Sequence, residues 1–354
     1  MVPGSLRRAA GHTPLRSLIA RRAALRSRAW GRVAAQQQQH TAQAHGMASP
    51  QPAWQPLPPE QLWQSIESVY ERAQQTGAAF KTETRTELLR DPTPPGIEFV
   101  LRVAAALKAK PKGPPPQQQG QQPAAAKAAW VNPFLPYEEA LWVAHLSPTH
   151  TLLLNKFNVV AKHVLVVTRG FESQTDPLNA NDLEATVQVL RAFPAGAVAF
   201  YNCGEHSGRS QPHKHLQIVP LPFDDRQPPE PAIQAVVDAA CRGAAPLEVV
   251  ELRALPFRAY AARLDGGSTS QQLEALASRL LAACQHGLAA PVSYNALLWR
   301  GAMVMVPRSQ ECAGPCAINS LGFAGTMLLR SEEDLAYTTV TGPLKMLATV
   351  GVPW

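Results

Sequence analysis

Short β-compatible runs and amphipathic helical stretches alternate along this chain without the strict strand–helix succession that a parallel sheet requires. Ile97 to Val103, the segments within residues 150–168, Ala197 to Tyr201, Leu216 to Val219, 294–299 and 302–306 all read as strands. Helical spacing marks Glu60 to Ala73 through Leu62, Ile66, Val69, Tyr70 and Ala73, with Gly77 as its stop. Further helices are expected after a cap at Asn181 (carrying Leu183, Val187 and Leu190), over 231–242, over 269–286, and after Ser331, where Ser331-x-x-Asp334 is a capping pattern. The expectation is an α+β fold whose sheet is mainly antiparallel and flanked by helices.

Charge divides the 354 residues unevenly. Residues 1–59 hold eight Arg, no Lys and no acid, so the net +7 becomes 7 − 8 = −1 for the remainder. The basic character therefore belongs to a leader and not to a nucleic-acid-binding face. Leu15, Leu18, Ile19 and Leu25 can share a helical face with Arg16, Arg22 and Arg26 outside it, the pattern of a targeting peptide for chloroplast or mitochondrion. The alternative is a basic tail on a cytoplasmic protein, with translation starting at Met47. No apolar run is long enough for a membrane-spanning helix, and no membrane partner is expected.

Residues 1–57 are read as leader, and ordered structure is expected from Pro58. Residues 58–222 form a first region, interrupted over 111–129 by a Pro/Gln/Ala-rich tract that reads as a surface insertion. Residues 223–354 form a second region after a Pro-rich stretch. The five cysteines are odd in number, which argues against a disulfide framework, and Cys312-Ala-Gly-Pro-Cys316 reads as a reduced loop pair.

The chemistry concentrates in Ser207 to Pro220. Pro212 excludes a helix there, and on a strand the side chains of His213, His215 and Gln217 share one face while Lys214, Leu216 and Ile218 take the other. Three hydrogen-bonding side chains in a row are costly against an apolar core. Chance is one explanation. A zinc pair is another, needing further ligands from Cys203, His206 or the Cys312/Cys316 loop. The third is nucleophilic catalysis at phosphorus, in which imidazole attacks and a glycine-serine loop offers N–H groups to phosphate oxygens. Spacing alone leaves the last two level.

Five blocks in order separate them: Asn155-Lys156-Phe157-Asn158-Val159-Val160, Tyr201-Asn202-Cys203-Gly204, Ser207-Gly208 through Gln211-Pro212-His213-Lys214-His215-Leu216-Gln217, Val306-Pro307-Arg308, and Asn319-Ser320-Leu321-Gly322-Phe323-Ala324-Gly325. Through them the chain resembles the ATP adenylyltransferase family, the diadenosine tetraphosphate phosphorylases of the histidine-triad superfamily. The transferase branch of that superfamily bears His-x-His-x-Gln. The resemblance implies a histidine-triad-like sheet with a C-terminal extension, and reversible phosphorolysis of diadenosine tetraphosphate to ATP and ADP. The insertion disrupts the segment that holds the family's substrate-contacting lysine, and Leu298-Trp299-Arg300-Gly301 is shorter than the family pattern.

On this resemblance His215 is the nucleophile, His213 orients the site, and Gln217 exchanges hydrogen bonds with phosphate oxygens. Ser207, Gly208, Ser210 and Gln211 are expected to cradle phosphates, and Lys156 to neutralise them. Asn155 and Asn202 are expected to contact ribose or phosphate, as is Lys110 despite the disturbed segment. Asn319, Ser320, Met327 and Arg330 would close over the nucleotide. No metal ligands are expected from the chain, although Mg²⁺ or another divalent cation can accompany the nucleotide. Two other readings stand beside this one. One is a hexose-1-phosphate uridylyltransferase or nucleoside-diphosphate-sugar phosphorylase; the other is an inactive nucleotide-binding regulator.

Overall fold

The structure is a computed structural model that describes residues 55–104 and 130–354. The leader up to Trp54 and the whole 111–129 tract, together with Lys110, lie outside the described residues, so the targeting and insertion readings find no structural counterpart. Residues 55–354 form one unit.

The first helix, α1 (Pro59–Thr76), opens with Pro at N1 and ends at Gly77 in the left-handed conformation, φ 72°. It buries Leu62, Ile66, Val69 and Ala73, the predicted stripe. Then come β1 (Phe80–Lys81), β2 (Arg85–Arg90), β3 (Glu98–Val103), β4 (Trp142–His145), β5 (His150–Leu154), β6 (Phe157–Asn158) and β7 (Val164–Thr168). Helix α2 (Ala180–Ala192) is followed by β8 (Ala197–Cys203) and β9 (His215–Pro220). The second half holds α3 (Gln234–Ala240), β10 (Val250–Glu251), β11 (Tyr260–Arg263), α4 (Ser270–Gln285), β12 (Ser293–Leu298) and β13 (Ala302–Arg308). It closes with β14 (Cys312–Ala313), β15 (Cys316–Ala317), α5 (Ser320–Ala324), β16 (Thr326–Leu329), α6 (Glu332–Thr341) and α7 (Pro343–Val350).

Nine strands build the main sheet in the order β10-β11-β13-β12-β8-β9-β7-β5-β4. Every neighbouring pair in it is antiparallel. A smaller sheet, β16-β3-β2, pairs β16 with β3 in parallel. The α+β expectation with a mainly antiparallel sheet is met. The two sequence halves join inside the sheet, where β8 pairs with β12.

Alternation along the strands sorts side chains onto two cores. Leu152, Val166, Ala199, Leu216 and Ile218 pack with α1, α2 and α4. On the other face Phe200, Val219, Leu297 and Val304 pack with β3, β16, α3 and α7. The site lies on this second face, where the covering sheet leaves the ends of the central strands to polar groups.

One cap differs from expectation. Helix α2 is capped by Asn179, not Asn181. The Asn179 side chain accepts from Asp182 N (3.0 Å) while Asp182 Oδ2 accepts from Asn179 N (2.8 Å), and this reciprocal pair outcompetes a lone cap two residues later. Thr269 with Gln272 forms the same box at α4, and Ser331 caps α6 as its pattern predicts.

Candidate active site

Strand β9 is central, between β8 and β7, and begins at His215. His213 sits one bridge earlier, opposite Ser173. Both imidazoles lie beneath Phe134, with ring centroids 5.5 Å from His213 and 5.2 Å from His215. Lys214 points the other way, into the helical layer, where it pairs with Asp182 at 2.6 Å. The predicted alternation of the motif therefore holds.

Hydrogen bonds set both tautomers. His215 Nδ1 lies 2.8 Å from the His213 carbonyl, which can only accept. Nδ1 therefore carries the proton, and Nε2 of the neutral ring keeps its lone pair. His213 Nε2 lies 2.9 Å from the Thr168 carbonyl and so donates there, while its Nδ1 is met by the Asn132 amide at 3.0 Å. Burial pushes both histidines down to about 4. Each is uncharged at neutral pH, the form a nucleophile needs. Gln174 holds the strand from the side: its Oε1 accepts from His215 N (2.8 Å) and its Nε2 donates to the His215 carbonyl (3.1 Å).

The remaining predicted residues fall into three groups. Gly208, Ser210, Asn319, Met327 and Arg330 line one cavity of about 260 Å³. His215 does not line it; the residue is 3% exposed, with its ring against Phe134. A second cavity of about 630 Å³ borders the start of the same loop, near His206, Arg209 and Ser293. It is larger, but it holds none of the predicted residues, so the first is the candidate cleft.

The second group stands behind the wall of that cleft. Asn202 Oδ1 accepts from Ser320 Oγ (2.7 Å), Ser320 N (3.0 Å) and Asn295 Nδ2 (2.8 Å). Ser207 Oγ donates to the Gly204 carbonyl (2.8 Å). Asn202, Ser207 and Ser320 thus spend these groups on the protein and shape the wall. The third group lies at the edge. Lys156 Nζ pairs with Glu138 (2.7 Å), Asn155 Nδ2 reaches His163 Nδ1 (2.9 Å), and Gln211 Oε1 accepts from Trp130 Nε1 (3.1 Å). Gln217 is half-buried on β9, opposite Leu165 and Phe200.

Sequence reading missed several members. His163, one residue before β7, is buried with Nε2 unbonded and the Gln217 amide alongside; burial pushes it down to about 4. Asn132, Phe134, Thr168, Gln174, Asn295 and Arg308 were also missed as site residues. Only the Arg308 block carried a signal, as part of the Val306-Pro307-Arg308 match. As for metals, the described residues contain no group of three or more His, Cys, Asp or Glu that could hold an ion. Cys312 and Cys316 flank the turn of the β14–β15 hairpin.

A buried imidazole on a central strand, next to a glycine-bearing loop, gives the class that the geometry supports: an α+β fold with a candidate site for group transfer. Comparison with known proteins specifies it. Residues 52–238 match the Ap4A phosphorylase N-terminal domain and residues 253–353 the ATP adenylyltransferase C-terminal domain. Diadenosine 5',5'''-P1,P4-tetraphosphate phosphorylase 2 of Saccharomyces cerevisiae is 30% identical over 327 residues, 83% of this chain and 95% of the relative. Protein APA1 of the same yeast is 29% identical over 219 residues, 54% of this chain and 64% of that protein. The crystal structure of yeast Ap4A phosphorylase Apa2 in complex with Ap4A superposes with a TM-score of 0.69 at 28% identity, covering 83% of this chain and 98% of that one. The chain belongs to the Ap4A phosphorylase/ATP adenylyltransferase family.

Proposed function

We propose that this protein cleaves diadenosine tetraphosphate with phosphate to ATP and ADP, reversibly, through a nucleotidyl group carried on His215. The observation that carries the mechanism is the His215 tautomer: Nδ1 is committed to the His213 carbonyl, which leaves Nε2 with a free lone pair in a neutral ring. In the first displacement Nε2 attacks the phosphorus of one terminal AMP unit. The P–N bond forms as the P–O bond to the tetraphosphate bridge breaks, and ATP departs with that electron pair. In the second, a phosphate oxygen attacks the same phosphorus, the P–N bond breaks, and ADP leaves with the imidazole restored.

The leaving group is already a stable polyphosphate anion, so a strong general acid is less necessary. Gln217, neutral at every pH, can donate to the transferring phosphoryl oxygens, and the Gly208–Ser210 wall can receive the rest of the chain. A divalent cation would travel on the nucleotide's phosphates. Import into chloroplast or mitochondrion by the leader belongs to the same proposal.

The test is to incubate the purified protein with diadenosine tetraphosphate, with and without phosphate, beside uridine diphosphate sugars and hexose 1-phosphates. ATP plus ADP, formed only with phosphate, is the expected result. ATP plus AMP formed equally fast in water would remove the transferase assignment. No turnover of any substrate would favour the nucleotide-binding regulator.

A further inference from the structure

Arg308 ends β13 and is 3% exposed. Among the described residues its guanidinium forms no ion pair. It is satisfied instead by neutral oxygens: the carbonyls of Val350 (3.1 Å), Gln310 (2.9 Å), Glu311 (3.2 Å), Ile318 (3.0 Å) and Ser207 (3.4 Å), together with Asn295 Oδ1. Burial pulls its pKa down to about 10, against the raising influence of Glu311 and Cys312, so the group keeps its proton at neutral pH. A buried, unpaired positive charge is expensive, and a protein that merely needed packing there could use an apolar side chain.

Two of its acceptors bear on the cleft. The Ser207 carbonyl belongs to the peptide unit whose N–H is that of Gly208, and the Ile318 carbonyl to the unit whose N–H is that of Asn319. In a trans peptide C=O and N–H point in opposite directions. With both carbonyls turned to the guanidinium, both N–H groups point away from it. Gly208, Ile318 and Asn319 line the cleft, and among the described residues neither N–H donates to a protein acceptor. The two segments are in close contact: a Cβ on Gly208 (φ +76°) would stand 2.7 Å from the Ile318 carbonyl oxygen. The guanidinium's five N–H donors are met by these six oxygens, so it has little left to offer a ligand directly, even from the second cavity it borders.

We propose that Arg308 is a positioning residue that charges a phosphate cradle from behind: it orients the 207–208 and 318–319 peptide units and strengthens the Gly208 and Asn319 amides as donors to a polyphosphate. The charge, offset only at a distance by Glu311 on the cavity lining, attracts phosphates through a low-dielectric wall, and each polarised amide gives a stronger bond to an anionic oxygen. This rests on the cleft being the nucleotide site but not on the covalent role of His215.

The test measures binding of adenosine, AMP, ADP and ATP to the full chain by calorimetry, in wild type, Arg308→Met and Arg308→Lys, with thermal melting of each. Adenosine affinity should change by no more than about 2-fold, while ATP affinity should fall roughly 10- to 100-fold in Arg308→Met, with AMP between them. Arg308→Lys, which keeps charge and loses the fork, should recover much of the ATP loss. Equal loss of adenosine and ATP binding would mean a purely structural role and overturn the proposal. If Arg308→Met does not fold, the wild-type chain answers alone. The backbone amide resonances of Gly208 and Asn319 should shift with ATP or inorganic triphosphate and stay in place with adenosine. Amides that ignore triphosphate would sink the idea. A wild type that binds ATP but never phosphorolyses Ap4A would instead undo the proposed reaction and leave Arg308 to be judged on binding.

Discussion

The His215 Nδ1 proton is held by the carbonyl two residues earlier, so its chemistry belongs to Nε2. His215→Ala should abolish both turnover and acid-labile labelling of the protein by α-labelled substrate, since no other group can form that bond. His213→Ala should lower both by about 10²–10⁴-fold and leave a measurable adduct, because His213 contributes orientation and not the bond. An adduct mapped to His213 would reverse the roles. The pH dependence follows from burial. His213 and His215 fall from 6.5 to about 4, so between these values the unfolded chain binds more protons than the folded one. Their stabilisation is fully present above pH 6.5 and is lost as pH falls toward 4, by up to about 3 kcal/mol for each. The acid limb of kcat/KM should accordingly lie well below pH 6.5. Phe134→Ala opens the His pair to water and should move that limb up toward 6.5; an unmoved limb would show that Phe134 does not set the environment. The motif residues were legible because period-two alternation puts them on one face. Phe134 and Asn132 were not, since nothing local links them to His213, and Arg308 showed only as part of the Val306-Pro307-Arg308 block, its role depending on tertiary contact.

At the scale of elements, β9 is fastened on both faces. Its helical side carries a buried cluster: Lys214 Nζ at 2.6 Å from Asp182 Oδ2, and His150 Nε2 at 3.0 Å from Asp182 Oδ1. Burial alone would raise the Asp182 carboxyl, but the His150 hydrogen bond and the Lys214 charge hold it below the usual range. Asp182 also closes the α2 capping box, so one side chain ties the helix start, β5 and the histidine strand together. Asp182→Asn should cost about 3 kcal/mol in urea unfolding, because buried Lys214 then keeps only the longer pairing with Glu172, at 3.5 Å, and the Pro177 carbonyl. Adding Lys214→Met should restore most of that loss, and failure to do so would show that the cap, not the charge, dominates. Elements with a full period were legible: α1 and α4 stand within a few residues of their predicted spans. Strand β2 was not, because Arg85–Arg90 is nowhere fully buried and shows no alternation to read. Nor was β16, four residues recognisable only by pairing with β3 some two hundred residues earlier.

At the scale of the molecule, the boundary near residue 222 that composition suggests runs through the interior of one sheet. Strand β8 of the first region pairs with β12 of the second over five residue pairs, Ala199 to Cys203 against Leu298 to Tyr294. Phe200, Val198 and Val219 from the first region share a core with Leu297, Val304 and Phe323 from the second. The cleft wall is also joint property, since Asn202 accepts from Asn295 and Ser320, and Ser207 from Asn295 and Arg308. Removing residues 223–354 would leave β8 as an open edge and strip the apolar face of the central strands. Such an edge invites aggregation, and the lost core burial exceeds what a marginally stable domain can spare. Residues 1–222 produced alone should therefore be insoluble or unfolded by circular dichroism and take no label from α-labelled substrate, although His213, His215 and Gln217 are all present. Production together with residues 223–354 should restore labelling, as the second fragment supplies β12 and the Asn319 wall. A soluble, monomeric first fragment that labels at His215 would show that the histidine strand and its phosphate loop form a site without the second half, and the jointly built cleft would have to be abandoned.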